Sequence, residues 1–169
     1  MLYLIANGPM QTTAAFAKVT TGTAIKTLLQ VKPGATQVLK IKEWGISFDG
    51  SSAATPIQCE LIETGTVAAT VTASVANDIT KLDNAAIAAG DPTTNIFSVG
   101  TAATGYTATA EGTITSVRNF DIQQVAPTNQ YVKQFPLGLE PRILQGNIAR
   151  IRVTAGAAVN AYCYMVLET

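Results

Sequence analysis

Apolar and polar residues alternate along most of this chain in short runs, each closed by glycine, proline, asparagine or aspartate. A period of two over four to eight residues, rich in Val, Ile and Thr, marks half-buried β-strands. The pattern predicts strands over residues 14–20, 24–31, 36–48, 56–64, 67–75, 114–125, 130–135, 142–144, 148–153 and 158–167. Leu2–Ile5 reads as a strand or an extended segment. Residues 1–13 are therefore expected to form an N-terminal arm or edge strand, and residues 14–169 a single β-sandwich domain.

Several details refine this reading. In the 36–48 run, Leu39 and Ile41 share one parity while Trp44, Ile46 and Phe48 share the other. A bulge near Glu43–Trp44 would shift side chains from one face to the other in this way. Further on, Ile57, Cys59 and Leu61 lie on one face and Gln58 and Glu60 on the opposite one. Glu60 and Glu63 likewise fall on opposite faces. Pro33-Gly34 suits the centre of a type II turn, and Gln145-Gly146-Asn147 a hairpin turn. The nearly continuous apolar run at 158–167 points to a central strand, in the sheet or at a subunit contact.

The middle of the chain has a different pattern. Ile79, Leu82, Ala86 and Ile87 recur at helical spacing between Asn77 and Gly90, with Asp78 as a cap and Pro92 as a stop. One short helix is expected there. Residues 92–112 are rich in Thr, Ala and Gly and read as a long loop excursion. Eight to ten strands with little helix predict an all-β, jelly-roll-like β-sandwich or barrel.

Composition narrows the chemistry. The 169 residues include 11 Lys plus Arg, 11 Asp plus Glu and no histidine. Ser–His and Cys–His nucleophile pairs and His-ligated metal sites are thereby excluded. Gly45-Ile-Ser47-Phe-Asp49 departs from the nucleophile elbow at its last position and runs into an Asp-Gly turn. Paired carboxylates for glycoside hydrolysis would have to be assembled by the fold from Glu43, Glu60, Glu111 or Glu168. A calcium site at Asp78, Asp83 and Asp91 competes with their ordinary roles as cap, solvated residue and turn residue. The expectation is a protein that is not an enzyme and needs no cofactor or metal. Cys59 and Cys163 read as small buried hydrophobes, with a bridge between them as the alternative.

The N-terminal apolar run stops at Ala6 without a basic residue before it, unlike a signal peptide. No run approaches the ~20 residues of a membrane span. Synthesis in a cytoplasm is expected, with no membrane partner.

The zero net charge hides an asymmetry. Residues 1–42 carry +5, residues 43–111 carry −7 and the remainder +2. Lys40 and Lys42 share one strand face, as a basic patch for an acidic partner or as edge guards. Five lysines without arginine make a thin footprint for nucleic acid, and no small-molecule substrate is implied. Charged residues are only 13% of the chain, and 24 Thr and 26 Ala must cover much of its surface. Such surfaces suit permanent interfaces. The candidate contact residues are Leu2, Tyr3, Leu4 and Ile5, by strand addition to a neighbour's sheet, with Lys40, Lys42, Tyr162, Tyr164 and Met165.

The stretches Val38-Leu-Lys-Ile-Lys-Glu-Trp-Gly-Ile-Ser-Phe-Asp-Gly50 and Pro56-Ile-Gln-Cys-Glu-Leu-Ile-Glu63 resemble small virion proteins of tailed bacteriophages. So do Arg150-Ile-Arg-Val153 and Ala161-Tyr-Cys-Tyr-Met-Val-Leu-Glu168. The resemblance is to capsid decoration, or cement, proteins with a jelly-roll-like barrel, and covers segments 36–64 and 140–169. It implies a homotrimer or other small oligomer on the outside of an icosahedral head. The major capsid protein would be its partner, with adjoining subunits held together against internal DNA pressure. It carries no active-site residues. The alternative is a tail-tip or fibre jelly-roll domain binding host glycans, against which Trp44, the only tryptophan, sits in a core-like strand.

Overall fold

The computed structural model of the chain describes residues 1–51, 53–82, 93–100, 103–115 and 117–169. Its strands are β1 (Leu2–Ala6), β2 (Val19–Thr20), β3 (Lys26–Val31), β4 (Leu39–Phe48), β5 (Ile57–Thr64), β6 (Thr70–Ala73) and β7 (Ile79–Lys81). They continue with β8 (Gly105–Ala110), β9 (Val117–Val125), β10 (Gln130–Gln134), β11 (Arg142–Ile143), β12 (Ile148–Thr154) and β13 (Asn160–Glu168). One helical turn, α1 (Thr93–Ile96), and a 3-10 turn at Ala76–Asp78 complete the described elements.

Two antiparallel sheets face each other. The first runs β10-β4-β13-β1-β7, with β11 also on β4 and β2 on β13; the second runs β6-β8-β3-β12-β5-β9. Counting β1, β3, β4, β5, β9, β10, β12 and β13 as strands one to eight, the sheet orders contain one-eight-three-six and two-seven-four-five. That interleaving is the double Greek key of a jelly roll. The sheets stay separate, so the fold is a sandwich and not a closed barrel.

The strand pattern of the sequence is realised most fully in β4 and β13. Glu43 pairs with Val166 and Ile41 with Leu167, leaving Lys42 as the extra residue of a bulge. Leu39, Ile41, Trp44, Ile46 and Phe48 therefore all face the core. In β13, Ala161, Cys163, Met165 and Leu167 point inward, and the strand is central between β4 and β1. Tyr3 and Ile5 complete this layer. Tyr3 meets Phe97 edge-on at 5.2 Å, an arrangement worth about 0.5–1.5 kcal/mol beyond the area it buries.

Leu2–Ala6 is neither a free arm nor an edge strand. Register pairs Leu2–Ala6 with Tyr164–Glu168 on one side and Tyr3–Ile5 with Ile79–Lys81 on the other, which places β1 inside the sheet. Of the strand expected at 14–20, only Val19–Thr20 pairs.

The insertion between β5 and β9 departs most from the sequence pattern. It sends β6 and β8 to the second sheet beside β3 and β7 to the first beside β1. The expected helix at Asn77–Gly90 starts instead as the 3-10 turn and β7; positions 83–92 lie outside the described residues. Ile79 is fully buried opposite Ile5, and that pairing overrides helical spacing. The expected loop over 92–112 contains α1 and β8. Small alternating residues make a weak hydrophobic signal, yet Gly105 and Tyr106 pair with β3 and β6 on either side.

Two turns also differ. Gln145–Asn147 does not close a hairpin, because β11 belongs to the first sheet and β12 to the second. Pro33-Gly34 does not form a type II turn; Pro33 bridges to Phe97 and the Gly34 N–H donates to the Ile96 carbonyl at 2.8 Å. A Cβ at Gly34 would lie 1.8 Å from the Asn95 carbonyl oxygen, so only glycine permits this close approach.

Candidate interaction surface

The side of the first sheet that faces away from the core gathers six of the nine candidate residues. Strand alternation puts Leu2 and Leu4 of β1 on it, with Tyr162, Tyr164, Val166 and Glu168 of β13. The Lys42 bulge leaves two successive β4 residues, Lys42 and Glu43, facing the same way, and Lys40 joins them. Tyr3, Ile5 and Met165 are excluded. All three are fully buried in the chain's own core, where no partner reaches them.

An aromatic row crosses this face. Phe16 meets Tyr162 edge-on at 5.0 Å, and Tyr162 lies 6.0 Å from Tyr164. Tyr164 lies over Gly45, where a Cβ would come within 2.5 Å of its ring. Its hydroxyl donates to Glu43 at 2.5 Å. Burial, followed by that hydrogen bond and the charge of Glu43, raises the Tyr164 pKa well above its ordinary value of 10.0.

The lysines do not form an open basic patch. Lys42 pairs with Glu140 at 2.5 Å and with Glu168 at 3.6 Å, and Lys40 with Glu168 at 3.5 Å. The Lys42–Glu140 hydrogen bond raises the lysine pKa and lowers that of Glu140 to about 2. Little net charge is left on the face.

The chain from Asn7 to Lys18 returns over the same surface. Asn7 anchors it: the side chain donates to the Ala161 carbonyl at 3.2 Å and accepts from the Cys163 N–H at 2.9 Å. Between this segment and the sheet lies a groove of about 160 Å³, lined by Leu4, Ala6, Pro9, Met10, Phe16 and Tyr162 among others. Asp78 stands at its rim. Its carboxylate accepts the backbone N–H groups of Met10 at 3.0 Å and Val75 at 2.9 Å, the work of a turn cap.

A second apolar feature escaped the sequence reading. Between β10 and β11 the chain makes a turn at Pro136–Pro141 that carries Leu137 and Leu139, 90% and 74% exposed. The turn is braced by Leu139 N–H to the Pro136 carbonyl at 2.9 Å, Gly138 N–H to Glu140 at 2.8 Å, and the Glu140–Lys42 ion pair. Two leucines between prolines and a glycine, with no alternating run to join, were the available signal.

No protein-family model, curated protein or solved structure matches this chain.

Of the remaining sequence candidates, Glu43 and Glu168 share the outer face of the first sheet, bound to Tyr164 and Lys40, while Glu60 and Glu111 lie elsewhere, bound to Arg152 and Thr27. Among the described residues no group of three metal-ligating side chains converges. Asp83 and Asp91 lie outside the described residues. No described helix is long and apolar enough to cross a membrane.

Proposed function

We propose that this chain is a structural subunit of a virus particle, one that decorates and stabilises an icosahedral phage capsid by non-covalent contacts. The observation that carries the reading is the combination of an aromatic, charge-neutralised sheet face with two fully presented leucines on a braced turn. Exposed apolar groups held in place and ringed by paired charges mark protein–protein contact sites. The jelly-roll topology is common among virion proteins, which supports the reading by analogy only. In this proposal the partners are the major capsid protein and further copies of the chain, a trimer being favoured, on the outer surface of the head.

The contacts are expected through faces and turns, not through strand addition. At the side where β9 and β10 end the sheets, β9 carries a bulge at Phe120, and the β10–β11 edge is broken by the Pro136–Pro141 turn. Both devices guard an edge against pairing.

The test is co-sedimentation of the purified chain with particles assembled from the genome that encodes it, followed by imaging. The expected result is saturable binding with added density at subunit seams. A chain that stays in the soluble fraction overturns the proposal.

A second reading rests on one local arrangement. Asp49, Asn160 and Tyr162 line a shallow pocket at one end of the sandwich, with Lys18 beside them, a mixture of carboxylate, amide and aromatic ring suited to sugar hydroxyls. Reproducible hits on a glycan array, abolished by Asn160→Ala, would favour a host-glycan-binding domain instead.

A further inference from the structure

We infer that the Leu137–Leu139 turn of one copy seats in the groove over β1 of the next, joining copies of this chain head to tail. The inference deepens the reading of the chain as an assembling subunit and rests on it.

Knob and groove belong to different strands of one sheet. The turn follows β10 at one edge, and the groove lies over β13 and β1, two and three strand spacings or about 9–14 Å across. Within one chain Leu137 and Leu139 stay exposed and no residue of the turn lines the groove, so the contact is one between two copies.

Their sizes fit. The groove's volume of about 160 Å³ is close to the ~150 Å³ apolar cavity that accepts a benzene-sized group, and a leucine side chain is no larger. The lining supplied by Leu4, Met10 and Phe16 matches it in polarity.

Their charges fit as well. Arg142, directly after the turn, is exposed. Asp78 rims the groove and accepts only backbone N–H groups. Among the described residues neither has an oppositely charged side chain bound to it, and the proposed contact brings one against the other.

The contact is heterologous, one surface of each copy meeting a different surface of the next, and its rotation decides whether the copies close into a ring or continue as a filament.

The experiment is sedimentation velocity on the full-length chain and two surface variants, with circular dichroism to confirm their folding. Leu137→Asp/Leu139→Asp removes the knob on an exposed turn. Met10→Glu charges the groove at a side chain that is itself exposed. Each should weaken self-association by about 30-fold or more, the loss typical of a hot-spot side chain. Mixed together, the two variants share one intact junction and should give dimers and nothing larger. A wild-type chain that is monomeric at its highest soluble concentration overturns the inference. So does wild-type-like assembly of the knob variant, or a mixture that yields no dimers. Self-association without particle binding would overturn the capsid reading and leave this contact standing; particle binding by a monomer would do the reverse.

Discussion

The indole nitrogen of Trp44 donates to the carboxylate of Asp121 at 3.2 Å, tying β4 of one sheet to β9 of the other. Tyr131 donates to the same carboxylate at 2.9 Å, Gln123 at 3.0 Å, and Lys133 lies 3.1 Å away. Tyr131 and Lys133 come from β10, so four donors from both sheets converge on one acid where the sandwich would otherwise be open.

Asp121→Ala should cost about 2–4 kcal/mol, because it strands the buried Trp44 N–H and the part-buried Tyr131 and Gln123 donors at once. Asp121→Asn should cost less and change the pH profile. Burial raises the Asp121 pKa, but the hydrogen bonds from Gln123, Tyr131 and Lys133 outweigh it and leave the carboxyl below its ordinary 3.8. A depressed folded pKa gives stability that is complete above the ordinary value and is lost as pH falls through the folded one. Urea unfolding from pH 7 down to pH 2 should therefore show a smaller acid loss in Asp121→Asn than in the wild type. Equal acid loss in both would remove Asp121 from the account.

Arg150 fastens the insertion onto the second sheet. It is wholly buried, donating to the Val67 carbonyl at 2.5 Å and the Glu111 carbonyl at 3.0 Å, with the Glu111 carboxylate 3.6 Å away. Gln30 beside it exchanges two hydrogen bonds with the backbone of Ala69. Arg150→Met keeps the length and loses the bonds, at an expected cost of about 2–4 kcal/mol. Amide hydrogen exchange should accelerate first at residues 67–69 and near Glu111. Unchanged protection there would contradict the assignment.

Gly45 leaves the space that Tyr164 occupies. Gly45→Ala should push the ring aside, since the added Cβ meets its flexible end. The strand itself should survive with a stability change under about 1 kcal/mol. The sensitive readout is the tyrosine: once displaced from Glu43 and exposed to water, its pKa should fall toward 10 in a spectrophotometric titration. A Tyr164 titration identical to wild type would show that the ring does not depend on Gly45.

The two thiols face the core from opposite sheets. Burial, with a smaller push from Glu60, raises Cys59 to about 12, and burial with the charge of Cys59 raises Cys163 well above its ordinary value. Thiolate is the reactive form. Both cysteines should therefore resist a thiol reagent in the native protein at pH 8 and react together on unfolding. Rapid native labelling of either one would contradict the burial described.

The strand pattern was legible wherever side chains were large and alternation strict. In β4 even the bulge was visible, because Leu39 and Ile41 change parity with Trp44, and only its site moved, to Lys42. In β8 it was hidden. Thr107, Ala108 and Thr109 are too small to announce a buried face, and the strand exists because β3 and β6 supply hydrogen-bond partners on both sides. Ile79 misled for the related reason that its spacing fits a helix equally well.

Among the contact candidates, strand alternation puts Tyr162 and Tyr164 on the outer face and Met165 inside, although the nearly continuous apolar run made all three read as available. It could not separate Lys40 and Lys42 from Glu168 and Glu140, which lie about a hundred residues away in sequence and neutralise them in space. It also counted Tyr3 and Ile5 as available, because the sequence does not say that β7 closes the free side of β1.

By itself, then, the sequence determined the class of fold and the inward or outward sense of its long strands. Period-two burial is a local property, imposed residue by residue by the pleat. The tertiary structure alone decided which strands became neighbours, which charges met, and which apolar groups had nowhere of their own to go. Those outcomes depend on long-range pairing. Leu137 and Leu139 look like any turn residues along the chain, and only the packed sandwich leaves them exposed on a braced turn opposite an unfilled groove.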